Sequence, residues 1–152
     1  MKHVQRSVLL PYTAHEMYTI VTDVPAYPQF LPWCPRAEIL QTFDDGVLAR
    51  VHLAFAGVKN HFTTRNVHEV DRAVRMTLHD GPFSALEGGW QFVPIGQTGP
   101  EGAAAGTRAT FELNYRFSSL PLQLVLSPVF DRIVSTFVDG FTRRAQALYG
   151  KR

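Results

Sequence analysis

The chain has 152 residues, of which 45% are hydrophobic and 12% aromatic, and its formal net charge is +2. This length suits a single domain, and so large a share of bulky apolar side chains excludes a disordered chain. No run approaches the roughly 20 apolar residues that cross a bilayer, so a transmembrane helix is excluded as well. We expect residues 1–152 to fold as one domain.

The first part of the sequence predicts a strand followed by two short helical segments. His3–Leu10 has the alternating apolar pattern of a strand. Thr13, with Glu16 three residues later, forms a capping box, which is typical of a helix start. The proline-rich stretch 24–35 allows at most a short helical turn, because proline in a helix interior removes a hydrogen bond.

From residue 36 the hydrophobic period changes to two, which predicts an antiparallel sheet. Six strands are expected here: Ala37–Phe43, Val47–Phe55, His61–Val70, Ala73–His79, Leu86–Pro94 and Ala109–Phe117. In the third of these, the polar Thr64 and Asn66 fall on the same face as Phe62. The glycine-rich stretch 96–106 is predicted to be a loop. With the first strand, this makes a sheet of about seven strands.

The C-terminal segment returns to helical spacing, with apolar residues at every third or fourth position after residue 128. Ser127-Pro128 either begins this helix or lies inside a longer one that starts near Leu120. A helix from Ser127 to Tyr149 would measure about 34 Å at roughly 1.5 Å per residue. The expected fold class is α+β, with a curved sheet around one long helix. From periodicity alone, the apolar faces between them fit an ordinary core better than a ligand cavity, which stays the alternative.

No catalytic or metal-binding motif is found in the sequence. It lacks a GxSxG elbow, an HExxH pair and a phosphate-binding glycine loop. The single cysteine, Cys34, excludes an intramolecular disulfide and a multi-cysteine zinc site. The six histidines are scattered without metal-ligand spacing. We therefore predict a non-enzymatic protein with no catalytic residue, no metal and no required cofactor, and an inert, buried thiol at Cys34.

Three blocks of sequence resemble one family: Tyr27-Pro-Gln-Phe-Leu-Pro-Trp-Cys34, Asp80-Gly-Pro-Phe83 followed by Gly88-Gly-Trp90-Gln-Phe92, and Phe141-Thr-Arg-Arg-Ala145 followed by Leu148-Tyr149-Gly150. Their order and spacing are similar to those of the coenzyme Q-binding START-domain proteins. The same SRPBCC superfamily includes the ribosome association toxins (RatA) and polyketide cyclase-like proteins. The resemblance covers essentially the whole chain, and its first block is the most specific.

The resemblance implies a helix-grip, START-like fold with two short helices after the first strand. It also implies that ubiquinone or a similar isoprenoid lipid binds in an apolar cavity, in support of respiratory electron transport. Because no presequence precedes the domain, we expect a bacterial cytoplasmic protein, with the surface of the inner membrane as an alternative location. We expect a monomer.

The resemblance implies two other roles as well. The first is a toxin that binds the large (50S) ribosomal subunit and blocks 70S association. The charge distribution fits this role, since residues 1–10 carry +2 and residues 121–152 carry +3, whereas the middle carries −3. The candidate contacts with a ribosome or a membrane surface are Lys2, Arg6, Arg143 and Arg144. An aromatase or cyclase is the least supported role, because no acid or base is identifiable.

The candidate cavity residues are the inward-facing apolar ones. They are Phe30, Leu31 and Trp33 at the cavity mouth, Phe62, Met76, Leu78, Trp90, Phe92, Phe111 and Leu113 on the sheet, and Phe130, Ile133, Val134, Phe137 and Phe141 on the final helix. Arg65 and Arg116 are predicted to face away from this set. For each apolar residue the competing interpretation is a place in an ordinary core.

Overall fold

The computed structural model describes residues 1–98 and 103–151. In these ranges the chain forms one sheet, two α-helices and one short 3-10 helix. The strands are β1 (Lys2–Leu10), β2 (Ala37–Phe43), β3 (Gly46–Phe55), β4 (Val58–Glu69), β5 (Ala73–Asp80), β6 (Phe83–Thr98) and β7 (Ala103–Phe117). The helices are α1 (Ala14–Thr22), the 3-10 helix (Val24–Gln29) and α2 (Leu120–Tyr149). The predicted α+β class, seven-stranded sheet and long C-terminal helix are confirmed.

The strands pair antiparallel in the order β1-β7-β6-β5-β4-β3-β2. Strands β2 to β7 follow one another as a meander, and β1 lies beside β7, with Lys2 opposite Tyr115 and Leu10 opposite Thr107. The first strand and the last are therefore neighbours. As a consequence, β1 lies close to α2, which directly follows β7 in sequence.

The core lies between one face of the sheet and α2. The buried face of α2 includes Phe130, Val134 and Phe141, and the sheet opposes it with residues such as Trp90 and Phe111. Each side chain of this size that is removed from water contributes about 1.5–3 kcal/mol to folding. The helix is therefore held on the sheet mainly by apolar burial.

The two short helices after β1 form as the sequence predicts. The capping box is complete, since the Thr13 hydroxyl accepts the N–H of Glu16 at 3.1 Å and the Glu16 carboxylate accepts the N–H of Thr13 at 2.9 Å. In the proline-rich stretch the short turn is the 3-10 helix. The hydroxyl of its buried Tyr27 donates a hydrogen bond of 2.5 Å to the carbonyl of Val21, which ties this helix to α1.

Of the two predicted starting points for the long helix, the earlier one is correct. Helix α2 begins at Leu120, and the Ser119 hydroxyl accepts the N–H of Leu122 at 3.3 Å as its N-cap. Pro128 lies inside the helix. The apolar spacing on both sides of Pro128 keeps one face buried, so burial outweighs the hydrogen bond that the proline removes.

The predicted loop at 96–106 is wrong for most of its length. Residues 96–98 belong to β6 and 103–106 to β7, with Gln97 opposite Ala104, while 99–102 lie outside the described residues. Backbone pairing holds these small residues in a ladder despite their low strand propensity. Pro94 is accommodated because β5 pairs with β6 only at residues 87–91, which leaves Pro94 with β7 alone as a neighbour.

Candidate functional site

An apolar cavity lies between the inner face of the sheet and α2, with a free volume of about 60 Å³. Its lining side chains come from the sheet, from α2 and from the helical segments after β1. They are Val21, Val24, Tyr27, Trp33, Ala49, Val51, Phe62, Thr64, Asn66, Val74, Met76, Leu86, Trp90, Phe111, Leu113, Phe130, Ile133, Val134 and Phe137. We refer to this space as the apolar cavity.

Two thirds of the candidate residues lie in this lining: Trp33, Phe62, Met76, Trp90, Phe111, Leu113, Phe130, Ile133, Val134 and Phe137. Phe137 joins the two walls. Its ring centroid is 4.9 Å from that of Phe111 on β7 and 6.1 Å from that of Trp33. The sheet, α2 and the segment before β2 therefore meet around one aromatic ring.

Phe141 and Phe30 lie outside the lining. Phe141 is completely buried, and its ring is 5.3 Å from that of Tyr27 and 5.1 Å from that of Phe30. The 3-10 helix covers this end of α2, so an inward orientation along the helix is not enough to place Phe141 in the cavity. Phe141 is thus buried, but it lies outside the lining of the apolar cavity.

Leu31, Leu78 and Phe92 also lie outside the lining. Leu31 is buried against α2 on the outer side of the cavity wall, and Leu78 packs partly buried at the core. Phe92 stacks on Trp90 at 5.9 Å and meets the ring of Tyr18 edge-on at 6.5 Å, beneath α1. Strand alternation specifies the face on which a residue lies but not its position along the strand, which explains these errors.

Two polar residues of the lining are absent from the candidate list. Thr64 and Asn66 on β4 are buried at 4% and 6% exposure, and the Thr64 hydroxyl donates a hydrogen bond of 2.6 Å to the Asn66 side-chain oxygen. Buried polar groups need partners because their desolvation is costly. The sequence contained a signal for these two residues. They lie in phase with Phe62, which places two polar side chains on an apolar face.

The apolar cavity offers little acid–base chemistry. Among the described lining residues, Tyr27 is the only one with a titratable side chain. Burial raises the pKa of Tyr27 far above its usual value, and its hydroxyl already donates to the carbonyl of Val21. A general acid or base needs a pKa near the working pH, so Tyr27 does not fit that role.

A surface groove of about 280 Å³ lies outside the cavity, between α2 and the segment that precedes β2. Its lining residues are Leu31, Pro32, Trp33, Phe55, Arg132, Ile133, Thr136, Gly140 and Arg143. Trp33 and Ile133 line both spaces and so form the wall between them. Gly140 allows a close approach here, since a Cβ at that position would lie 2.7 Å from Leu31 Cδ2.

The opposite flank of α2 is attached to β1 and β7 by polar contacts. The Arg6 guanidinium donates to both carboxylate oxygens of Asp139, at 2.8 and 3.2 Å, and to the carbonyl of Ser135 at 2.9 Å. The buried Tyr115 hydroxyl donates to Asp131, whose other oxygen lies 3.5 Å from the Lys2 ammonium. Burial and Asp131 together hold the pKa of Tyr115 well above its usual value.

The four candidate basic residues do not form one patch. Lys2 and Arg6 are paired with acids of α2, as described above. Arg144 donates to Gln29 at 3.0 Å and lies over the ring of Phe30, and Arg143 lines the groove. The groove also contains Arg132, which was absent from the prediction. No ion pair involves Arg132 or Arg143 within the ranges that the structure describes.

Cys34, which follows the groove residue Trp33 in sequence, is buried, and burial raises the pKa of its thiol to about 11. Its Sγ donates a weak hydrogen bond to the Arg36 carbonyl at 3.4 Å. In the described part of the chain, no three His, Cys, Asp or Glu side chains come together as a metal site. None of the helices described there has the length and hydrophobicity that crossing a bilayer requires.

The sequence is similar to proteins of one large family. A family model for polyketide cyclase / dehydrase and lipid transport matches residues 10–142. The ribosome association toxin RatA of Pseudomonas aeruginosa is 36% identical over 148 residues, covering 97% of this chain and 98% of that protein. The mitochondrial coenzyme Q-binding protein COQ10 homolog B of Xenopus laevis is 29% identical over 147 residues, covering 96% of this chain and 59% of that protein.

Solved structures share the fold at lower identity. A START superfamily protein from Mycobacterium smegmatis superposes with a TM-score of 0.77 at 20% identity, covering 96% of this chain and 98% of that one. The Zhui aromatase/cyclase from Streptomyces superposes with a TM-score of 0.78 at 19% identity, covering 95% and 93%. At such identities the likeness concerns the fold alone, so it carries no argument for cyclase activity.

Proposed function

Because the chain belongs to the polyketide cyclase/dehydrase and lipid transport family, whose members include binders of hydrophobic ligands, we propose that it acts as a ribosome association toxin. In this role it binds the large ribosomal subunit and prevents 70S formation. One observation carries the proposal, namely its 36% identity to RatA over nearly the full length of both proteins. The coenzyme Q-binding relative is less similar and is matched over a smaller share of its length. This order reverses the one expected from the sequence alone.

The groove supplies a surface suited to ribosomal RNA. Both acids of α2 are neutralised by β1, Asp131 by Lys2 and Asp139 by Arg6. The exposed arginines of the groove, Arg132 and Arg143, are left without a counter-ion in the described part of the chain. Arginine pairs well with phosphate oxygens, and release of condensed counter-ions favours such contacts at low salt. This surface therefore supports RNA phosphate binding.

Sucrose gradients of cells that overproduce the protein test this proposal. Wild-type protein should reduce the 70S peak and enlarge the free subunit peaks, whereas R132Q/R143Q should leave 70S intact. The matched control is R75Q/R116Q, which removes two exposed arginines from β5 and β7. With purified 50S subunits, the groove variant should lower the slope of log affinity against log salt by about 2. An unchanged 70S peak with wild-type protein would contradict the proposal.

A second function, binding of an isoprenoid lipid such as ubiquinone, is favoured by the apolar cavity. Its free volume of about 60 Å³ is far below the ~300–1,000 Å³ of typical ligand pockets. The groove of about 280 Å³ lies directly behind Trp33 and Ile133. Movement of this wall would join the two spaces and admit a tail. Such a ligand would connect the protein with respiratory electron transport, as the family resemblance implies.

Native mass spectrometry of protein purified gently from quinone-rich bacteria tests lipid binding. Wild-type protein should retain a mass that matches a quinone. Phe137→Asp should lose it, because a carboxylate would stand among the aromatic rings of the cavity. Leu124→Asp is the matched control, since it makes the same change at an exposed position of α2. Wild-type protein that is consistently empty would exclude this second function.

A further inference from the structure

The side-chain amide of Asn66 has one hydrogen-bond partner, although its oxygen and its nitrogen can both form hydrogen bonds. Its oxygen accepts from Thr64, but no acceptor is found for its nitrogen among the residues that the structure describes. In these residues, every side-chain nitrogen or oxygen that has no hydrogen-bond partner borders accessible space. The Asn66 amide nitrogen therefore borders free space. The apolar cavity is the free space that Asn66 lines.

Two other lining residues add donors of the same kind. Trp33 and Trp90 each carry an indole N–H, and no acceptor for either is found in the described part of the chain. An indole N–H donates and never accepts. In contrast, the Tyr27 hydroxyl already donates its hydrogen to a backbone carbonyl, so this hydrogen is not available to a ligand. The polar groups that remain open to a ligand are thus mainly N–H donors.

The hydrogen bond from Thr64 determines that the amide nitrogen of Asn66, rather than its oxygen, is available to a ligand. The Thr64 hydroxyl donates to the Asn66 oxygen at 2.6 Å, which directs the amide nitrogen away from Thr64. Both residues lie on β4, whose backbone pairs with β3 and β5, so the pair is rigidly placed. A donor that is held in place before binding loses little freedom when a ligand arrives.

We infer that the apolar cavity selects ligands whose buried end carries a hydrogen-bond-accepting carbonyl oxygen. The side-chain amide nitrogen of Asn66 donates the hydrogen bond to this oxygen. This inference rests on the proposed binding of an apolar ligand. The free volume of about 60 Å³ suits a small end group beside Asn66 rather than a whole lipid. An apolar molecule without such an oxygen would leave the buried amide unsatisfied, which disfavours its binding. The ligand class is therefore a lipid with a ketone, quinone or ester carbonyl at one end.

Calorimetric titration with two matched probes tests the inference. The probes are 2-hexyl-1,4-benzoquinone, which has carbonyl oxygens, and hexylbenzene, which has none. Wild-type protein should bind the quinone about tenfold more tightly, as expected for one net hydrogen bond in a buried site. Asn66→Leu keeps the size of the side chain and removes its donor. It should abolish the roughly tenfold preference for the quinone, because quinone binding loses the hydrogen bond while hexylbenzene no longer leaves a buried amide unsatisfied.

Two further variants separate the explanations. Thr64→Val removes the hydroxyl that orients the amide and should weaken quinone binding by a smaller factor, with a folded spectrum. Met76→Leu, opposite Asn66 on β5, should affect both probes equally. Equal binding of both probes by wild-type protein, or equal losses in Asn66→Leu, would overturn the role of Asn66 while ligand binding stands. Binding of neither probe would overturn both the inference and the proposed lipid-binding function.

Discussion

The two flanks of α2 are held by different kinds of contact. On the β1 flank, Arg6 and Tyr115 reach the helix through hydrogen bonds to Asp139 and Asp131. On the groove flank, aromatic and aliphatic side chains provide most of the contact, as in the pair Trp33 and Phe137. Hydrogen bonds to charged groups are directional, whereas apolar contacts tolerate sliding. We therefore expect α2 to keep its position on the β1 flank while the groove flank opens.

The same difference assigns both proposed functions to the groove flank. The β1 flank uses its basic residues for internal ion pairs, so they are poorly placed to bind RNA. The groove flank has Arg132 and Arg143, which form no ion pair in the described part of the chain, and also the wall that closes the apolar cavity. A ribosome contact and the entrance for a lipid would thus share one surface. Occupancy of one should hinder the other.

The largest effect is expected from removing the aromatic anchor of the groove flank. Phe141→Ala should lower the free energy of unfolding by about 3–5 kcal/mol, as deletion of a buried phenylalanine leaves a cavity. Phe141 is fully buried against Tyr27 and Phe30 of the segment that borders the groove. Urea unfolding followed by circular dichroism measures the change. Leu124→Ala, at an exposed site of the same helix, should change the free energy by less than ~0.5 kcal/mol.

Alkylation of Cys34 reports directly on the groove flank. Because burial raises the pKa of this thiol from 9.0 to about 11, its thiolate fraction at pH 8 should be about 100-fold lower than in the unfolded chain. Iodoacetamide labelling of native protein should be slower than in urea by at least this factor. The native rate should rise about tenfold per pH unit up to pH 10. A native rate equal to the unfolded rate would show that this flank is already open.

The buried anchor of the β1 flank should have a smaller effect. Asp131→Asn should lower the free energy of unfolding by about 1.5 kcal/mol, because the Tyr115 hydroxyl then loses a charged acceptor. A double-mutant cycle with Tyr115→Phe, measured by urea unfolding, should show a coupling of about 1 kcal/mol. Labelling of Cys34 should be unaffected in both variants. Faster labelling would contradict the independence of the two flanks.

The exposed ion pair of the β1 flank should have the smallest effect. Arg6 and Asp139 are 40% and 45% exposed, so solvent screens their attraction. A double-mutant cycle with Arg6→Gln and Asp139→Asn should give a coupling of about 0.5 kcal/mol that decreases in 0.5 M salt. A coupling above about 2 kcal/mol would show that this pair, rather than Tyr115 and Asp131, fixes the flank.

Local sequence patterns account for most of the fold. The alternation from residue 36 onward predicts the meander, and the capping box at Thr13 and Glu16 predicts the start of α1 to the residue. The alternation in β1 also indicates a contact with α2. Arg6 lies in phase with Val4 and Val8 on the inner face, which explains its reach to α2.

The site was less predictable because it depends on distant parts of the chain. Whether an inward residue lines the cavity depends on what covers it, as Phe141 beneath the 3-10 helix illustrates. The groove depends on Gly140 and Leu31, which are 109 positions apart and meet only in the folded chain. The sequence pattern predicted that Thr64 and Asn66 of β4 lie on the inner face. It did not predict that, among the described residues, their side chains would hydrogen-bond only with each other.

Pro94 has a consequence for how copies of the chain meet. Beyond the end of its pairing with β5, strand β6 has no neighbouring strand on that side, so a row of its backbone groups lacks a strand partner. Such a row is a template on which a second chain can build a new strand. Proline has no N–H to offer and interrupts the ladder that an incoming strand would need. The residue therefore protects this stretch against intermolecular sheet growth, and its replacement by valine would create an aggregation site.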